Sequence, residues 1–131
     1  MKCIVVTPEK TVFDKETAFV ALPLFDGEYG IGNNHTPIVG RLGSGELRLK
    51  TENETAESWY IEGGFVEVLD NVITLLTNFA VPSRELSLEK AQNELETAQA
   101  RSTKTPELLA LKEKLVQTAR SQIRLAQKMN R

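Results

Sequence analysis

VITLLTNFAVPSRELSLEKAQNELETAQA, residues 72–100, changes its period at Pro82. Val72 to Thr77 reads as an apolar, β-branched strand, whereas Leu88, Ala91, Leu95 and Ala98 recur at spacings of three and four, an apolar stripe along a helix. Ser87 is placed and typed as a helix N-cap, and Leu86 with Ala91 forms a hydrophobic staple around it. The fold class follows: α+β, with an antiparallel β-sandwich domain over residues 1–84 and an antiparallel two-helix hairpin domain over residues 85–131.

Downstream, the polar run Arg101 to Thr105 interrupts the helical pattern. Thr105 caps a second helix, Pro106 takes its first position and Glu107 meets the positive end of the dipole. Leu108, Leu111, Leu115, Ala119, Ile123 and Ala126 continue as a second stripe, so two apolar seams face each other or the sandwich. Alanine in those seams contributes less burial than leucine. The hairpin is therefore expected to dock weakly, as a conformational switch requires.

Upstream, Lys2 to Thr7 and Thr11 to Phe13 read as a hairpin around Pro8, and Thr17 to Leu24 as a third strand whose Pro23 marks a place near an edge. Asp26 to Leu47, DGEYGIGNNHTPIVGRLGSGEL, holds six of the eight glycines and the only histidine, and reads as shaped loops and short strands displayed at one end of the sandwich. Glu46 to Lys50 alternates with Leu47 and Leu49 inward; Thr51 to Glu57 is a polar tip. Ser58 to Glu62 returns as a strand carrying Trp59 and Ile61, Gly63-Gly64 bends before Phe65 to Leu69, and Asp70-Asn71 turns into Val72.

Composition excludes several classes. With 131 residues, 40% hydrophobic and 26% charged, the chain is an ordinary folded protein with a modest core. No apolar run approaches the roughly 18 residues of a membrane span, and MKCIVVTPEK lacks the apolar region of a signal peptide, so a cytoplasmic protein is expected, on a membrane only through a partner. One cysteine, Cys3, and one histidine leave neither an internal disulfide nor a zinc cluster. Asn34-His35-Thr36 and Asn53-Glu54-Thr55 match the glycosylation sequon by chance in a chain that is not exported. Gly30-Ile31-Gly32 opens no helix and lacks the third glycine of a dinucleotide fingerprint, and acids alternating with apolar residues, as in Glu46-Leu47 and Glu67-Val68, point to solvent. No catalytic constellation is expected. A lone loop histidine such as His35 is more often a structural hydrogen-bond partner than a catalyst.

The net charge of −2 hides a division, since residues 104–131 hold seven bases against two acids. Arg120, Arg124, Lys128 and Arg131 share one helical face. That face is either simply solvated or docks on an acidic partner or anion. A free-standing regulatory module whose basic helix binds an acidic protein or nucleic acid is one reading; few aromatics and a negative net charge argue against nucleic acid.

The order of parts resembles the epsilon subunit of rotary, F-type ATP synthases over nearly the full length. The marks are VTPEKTVFD (Val6 to Asp14), the block DGEYGIGNNHTPIV (26–39), similar to the family's GELGILPGHxPL, the segment YIEGGFVEVLDNVITLL (Tyr60 to Leu76), similar to its VSGGFLEVxxNxVTVLA, and the terminal helical hairpin. The resemblance implies a ten-stranded sandwich with two antiparallel helices, and a non-catalytic place in the central stalk between the gamma subunit and the c ring. It implies a peripheral location at the cytoplasmic face of the plasma membrane, through the complex. Glu28 would then face the c ring and His35 the gamma subunit. The hairpin would rest on the sandwich or extend toward the alpha and beta catalytic subunits and restrain ATP hydrolysis, with Arg120, Arg124 and Lys128 meeting an acidic beta-subunit loop. Some bacterial members bind ATP through [IL]DxxRA and two arginines four apart; here Leu86 to Ala91 puts Ser87 for Asp and Lys90 for Arg. Lys90, Arg120 and Arg124 remain for ATP, without a carboxylate and with a point charge in place of the guanidinium fork. Asn33-Asn34 replaces the family's Pro-Gly before the histidine, which changes the stiffness of the loop.

Overall fold

Thr7 and Lys10 exchange backbone hydrogen bonds of 2.9 and 3.3 Å around Pro8-Glu9, folding strand β2 (Thr11–Glu16) antiparallel onto β1 (Lys2–Val6). The fixed φ of Pro8 presets that corner. The computed structural model describes residues 1–53 and 56–130. The middle of the polar tip expected at Thr51 to Glu57, with part of its sequon, and Arg131 of the basic face lie outside the described residues. The chain forms two compact units, Met1–Pro82 and Ser83–Arg131.

The first unit continues with β3 (Phe19–Leu24), β4 (Gly27–Gly32), β5 (Ile38–Lys50), β6 (Ala56–Leu69), β7 (Val72–Leu76) and β8 (Ala80–Pro82). Neighbouring strands run β2-β1-β7-β6-β5-β3-β4, with β8 beside β6. Pairing is antiparallel throughout except between β1 and β7, which are parallel. Eight strands among the described residues stand where the family resemblance implied ten, because glycines bend two long strands without ending them. β5, of 13 residues, runs on through Gly40, Gly43 and Gly45, and β6, of 14, runs through Gly63 (φ 66°) and Gly64 (φ 109°). On one side of that bend β6 pairs with β7, Phe65 opposite Leu76; on the other it pairs with β8, Ile61 opposite Ala80. A strand that changes partners at a bend is how a sandwich turns its corner. The fork is held by Thr77, whose hydroxyl donates to Gly63 O at 2.6 Å and accepts from Glu62 N at 3.3 Å.

Pro23 does not mark an edge. β3 lies between β4 and β5, and its register with β5 slips between Ala21 and Leu24, so the missing N–H falls in a bulge. The core gathers one face of each strand, including Cys3, Val5, Leu22, Ile31, Leu47, Leu49, Ile61, Ile73 and Leu75, with Trp59 packed at its margin. Each such aliphatic side chain contributes about 1.5–3 kcal/mol by leaving water. Glu46 is not the solvent-facing acid that alternation suggested: its carboxylate is 15% exposed and accepts from Ser58 Oγ at 2.5 Å.

The second unit opens with a single 3-10 turn, Ser83–Glu85, followed by α1 (Leu88–Gln99) and α2 (Pro106–Met129). Ser87 caps α1 by accepting from Lys90 N at 3.2 Å, and Thr105 caps α2 by accepting from Leu108 N at 3.1 Å. The helices pack on each other, and Ala91 and Ala98 of α1 and Ala119 and Ala126 of α2 are buried. α2 has 24 residues against 12 in α1, so α1 flanks only half of it.

Candidate functional site

At one end of the sandwich the β4–β5 loop and the β6–β7 turn meet. Asp70 (φ 50°) and Asn71 (φ 63°) form the turn between β6 and β7 in left-handed conformations, which Asp and Asn adopt more readily than other residues with a side chain. Asn34, in the loop after β4, is also left-handed (φ 61°), and its N–H donates to Asn71 Oδ1 at 2.8 Å. His35 follows. Its Nδ1 lies 2.7 Å from Thr36 O, and a carbonyl can only accept, so Nδ1 carries the proton. In the neutral ring Nε2 then accepts from the Tyr29 hydroxyl, also at 2.7 Å, and the two rings meet edge to face at 5.5 Å. Tyr29 comes from β4 and packs against the core, so the half-buried His35 ring is anchored to the sandwich itself.

Glu28, on β4, is ion-paired with Arg48 of β5, and Arg48 Nε lies 3.6 Å from Glu46 Oε1. The strand register explains this reach across β3: Glu28 stands opposite Pro23 and Arg48 opposite Ala21, all on one face. With Glu28 57% and Arg48 47% exposed, the pair is worth about 0–1 kcal/mol and orients the carboxylate more than it stabilises the fold. The structure does not bring Glu28 and His35 into contact with each other through any bond described.

A feature missed by the sequence reading lies on the outward face of β5, β6 and β7. Arg41, Phe65 and Leu76 stand opposite one another across the three strands, with Val39 one step along β5. Phe25 donates its N–H to Arg41 O at 2.8 Å, and the Arg41 guanidinium covers the Phe25 ring at 4.3 Å. Phe25, Val39, Phe65 and Leu76 are 66, 78, 58 and 55% exposed. Apolar side chains exposed together on one sheet face make this band a candidate interaction surface. The signal was present in the alternation: once Val66, Val68 and Leu75 point inward, Phe65 and Leu76 must point outward.

In the second unit Arg120, Arg124 and Lys128 lie one turn apart along α2, and Arg120 and Arg124 are exposed. Of the expected stripe Ala119 and Ala126 are buried and Leu115 and Ile123 half-buried, whereas Leu108 and Leu111 are exposed; Leu125, which was not expected, is buried. Lys90 is exposed on the other helix, its backbone N–H taken by the Ser87 hydroxyl. Among the described residues no helix is long and apolar enough to cross a membrane, and no group of three or more His, Cys, Asp or Glu could hold a metal ion.

Residues 1–83 match the family model for the β-sandwich domain of the ATP synthase Delta/Epsilon chain. The chain is 43% identical over 124 residues to an ATP synthase epsilon chain of Rhodopirellula baltica, covering 95% of this chain and 96% of that one. It is 31% identical to the sodium ion specific ATP synthase epsilon chain of Propionigenium modestum, covering 96 and 93%. Among solved structures, a chain of the Euglena gracilis mitochondrial ATP synthase aligns with a TM-score of 0.81 at 24% identity, covering 91% of this chain and 76% of that one, and shares its fold. A chain of the Tetrahymena thermophila mitochondrial ATP synthase central stalk and c ring shares the fold at a TM-score of 0.76, 16% identity and 96% coverage of both. With a family model over most of its length and relatives aligned almost end to end, the chain belongs to the epsilon-chain family of F-type ATP synthases.

Proposed function

We propose that the chain is a non-catalytic rotor subunit that docks on the gamma subunit, reaches the c ring, and restrains ATP hydrolysis through its second unit. The observation that carries this reading is the exposed band of Phe25, Val39, Phe65 and Leu76, an apolar surface on a sandwich whose relatives are ATP synthase chains. The gamma subunit covers that band together with the His35 loop, and Glu28, oriented by Arg48, faces the c ring. The protein is peripheral at the cytoplasmic face of the membrane through this assembly. Arg120, Arg124 and Lys128 meet an acidic surface of a beta subunit when the hairpin leaves its resting place.

Copurification with gamma and the c ring tests the docking, with Phe65→Ser and Leu76→Ser, which leave the core untouched, expected to abolish it. Retention of both variants in the complex refutes the band as the docking surface. For the restraint, an enzyme reconstituted with Arg120→Ala, Arg124→Ala and Lys128→Ala in the full chain is expected to hydrolyse ATP faster; an unchanged rate removes this role from α2. ATP as a regulatory ligand of Lys90, Arg120 and Arg124 is a second reading, favoured by two exposed arginines one turn apart and opposed by Ser87, which caps α1 where the motif has a carboxylate. Calorimetry on the isolated chain is expected to show no millimolar binding; binding abolished by Arg120→Ala and Arg124→Ala would reverse that.

A further inference from the structure

The left-handed residues other than glycine among the described residues are Asn34, Asp70 and Asn71, and one hydrogen bond joins the two turns that contain them, Asn34 N to Asn71 Oδ1 at 2.8 Å. A left-handed backbone at an L-residue is strained by the approach of its Cβ to the neighbouring carbonyl, a penalty that Asn lessens and glycine escapes. Asn34 thus holds by an external tie a shape that glycine adopts without one. The tie comes from 37 residues away, from a turn that is itself fixed: Asn71 O accepts from Lys2 N at 3.1 Å, which anchors the turn to β1. On the other side of Asn34, the His35 ring is clamped between Thr36 O and Tyr29.

We propose that Asn71 is a positioning residue: its side-chain carbonyl holds the Asn33 to Thr36 loop in one conformation and so presents His35, in a single orientation, to the stalk partner. The inference rests on the reading of the His35 loop as part of the gamma-docking surface. It makes the β6–β7 turn part of the docking apparatus although Asn71 need not touch the partner. A loop ordered before binding loses less conformational entropy on docking, so the tie is felt as affinity.

Two substitutions separate side-chain role from turn shape. Asn71→Gly keeps the left-handed turn and removes the acceptor, whereas Asn71→Asp keeps both. In the full-length chain, NMR hydrogen exchange of the Asn34 amide is expected to quicken roughly fivefold in Asn71→Gly, the change for one net hydrogen bond, and the His35 ring signals to move, with Asn71→Asp restoring both. Gamma affinity is expected to fall in Asn71→Gly by a similar factor and to return in Asn71→Asp. Unchanged Asn34 exchange and His35 signals in Asn71→Gly overturn the inference. So does unchanged gamma affinity in Asn71→Gly when His35→Ala weakens it. If His35→Ala also binds gamma like the parent, the docking role of the loop fails instead, and with it the role of Asn71 in docking.

Discussion

Replacing Gly64 by alanine should damage this fold more than alanine at any other glycine. Gly64 sits at the bend where β6 leaves β7 for β8, with φ 109°, and an added Cβ would lie 1.9 Å from Leu76 O and 2.8 Å from Thr77 Cα. Ordinary contact begins near 3.4 Å, so the Leu76 carbonyl must retreat by about 1.5 Å. That movement disturbs the pairing of Phe65 with Leu76 and the 3.0 Å bond from Thr77 N to Val6 O. The dihedral alone costs about 1–3 kcal/mol, and two hydrogen bonds add about 1 kcal/mol each. The sum, about 3–5 kcal/mol, is a large share of the 5–15 kcal/mol that holds a typical domain together. Urea unfolding followed by the fluorescence of Trp59, the only tryptophan, reads the sandwich directly. At a slope of about 1.5–2 kcal/mol per M the midpoint should fall by about 2 M. Gly32→Ala is the control, since nothing lies within 4 Å of its added Cβ and its φ is not left-handed; it should move stability by less than about 1 kcal/mol. A Gly64→Ala midpoint no lower than that of Gly32→Ala refutes the account of the bend.

Thr77 is 3% exposed, and Thr77→Val should cost about 1–3 kcal/mol in the same unfolding assay by removing the hydroxyl that donates to Gly63 O, while Glu62 N keeps its 3.1 Å bond to Phe79 O, with Thr77→Ser recovering most of the loss. The Cys3 thiol is pushed up from 9.0 to about 12, by burial first and the charge of Asp14 second. The folded protein therefore keeps a proton that the unfolded chain releases, so the contribution is complete below pH 9 and is lost as pH rises toward 12. Across that window the parent should lose stability more steeply than Cys3→Val, and equal slopes would contradict a buried, protonated thiol. Iodoacetamide at pH 8 should leave Cys3 unlabelled until the protein is denatured.

Periodicity and turn chemistry made most of the architecture readable, because both act locally. The Asp70-Asn71 turn, the caps at Ser87 and Thr105 and the inward Leu47 and Leu49 each depend on neighbours within a few residues. What escaped depends on partners far away in sequence. Glycine reads as a break in a pattern, yet β5 and β6 run on past Gly43 and Gly63, because pairing continues on either side, Leu42 opposite Gly64 and Ser44 opposite Glu62. Pro23 reads as an edge residue, and a bulge opposite it makes an interior position tolerable. Along α2 the stripe identifies an apolar face, but periodicity does not say which of its residues are covered: Ala119 and Ala126 are buried, whereas Leu108 and Leu111, in the half that α1 flanks, remain exposed.

The candidate site divides along the same line. Glu28 and His35 stand out as residue types in a glycine-rich stretch, whereas the groups that orient them, Arg48 and Tyr29, are set by strand register and by a ring contact that no local pattern specifies. Asn33-Asn34 is the sharpest case. Next to the family's Pro-Gly, the pair reads as a change in loop stiffness, since asparagine lacks both the fixed φ of proline and the freedom of glycine. In the folded chain Asn34 nonetheless takes a left-handed conformation, and a side chain on another turn holds it there. Stiffness supplied by a tertiary hydrogen bond is lost whenever that bond is lost, whereas stiffness supplied by proline is not. Denaturant or heat should therefore loosen this loop together with the β6–β7 turn, making the two turns one cooperative element of the docking surface.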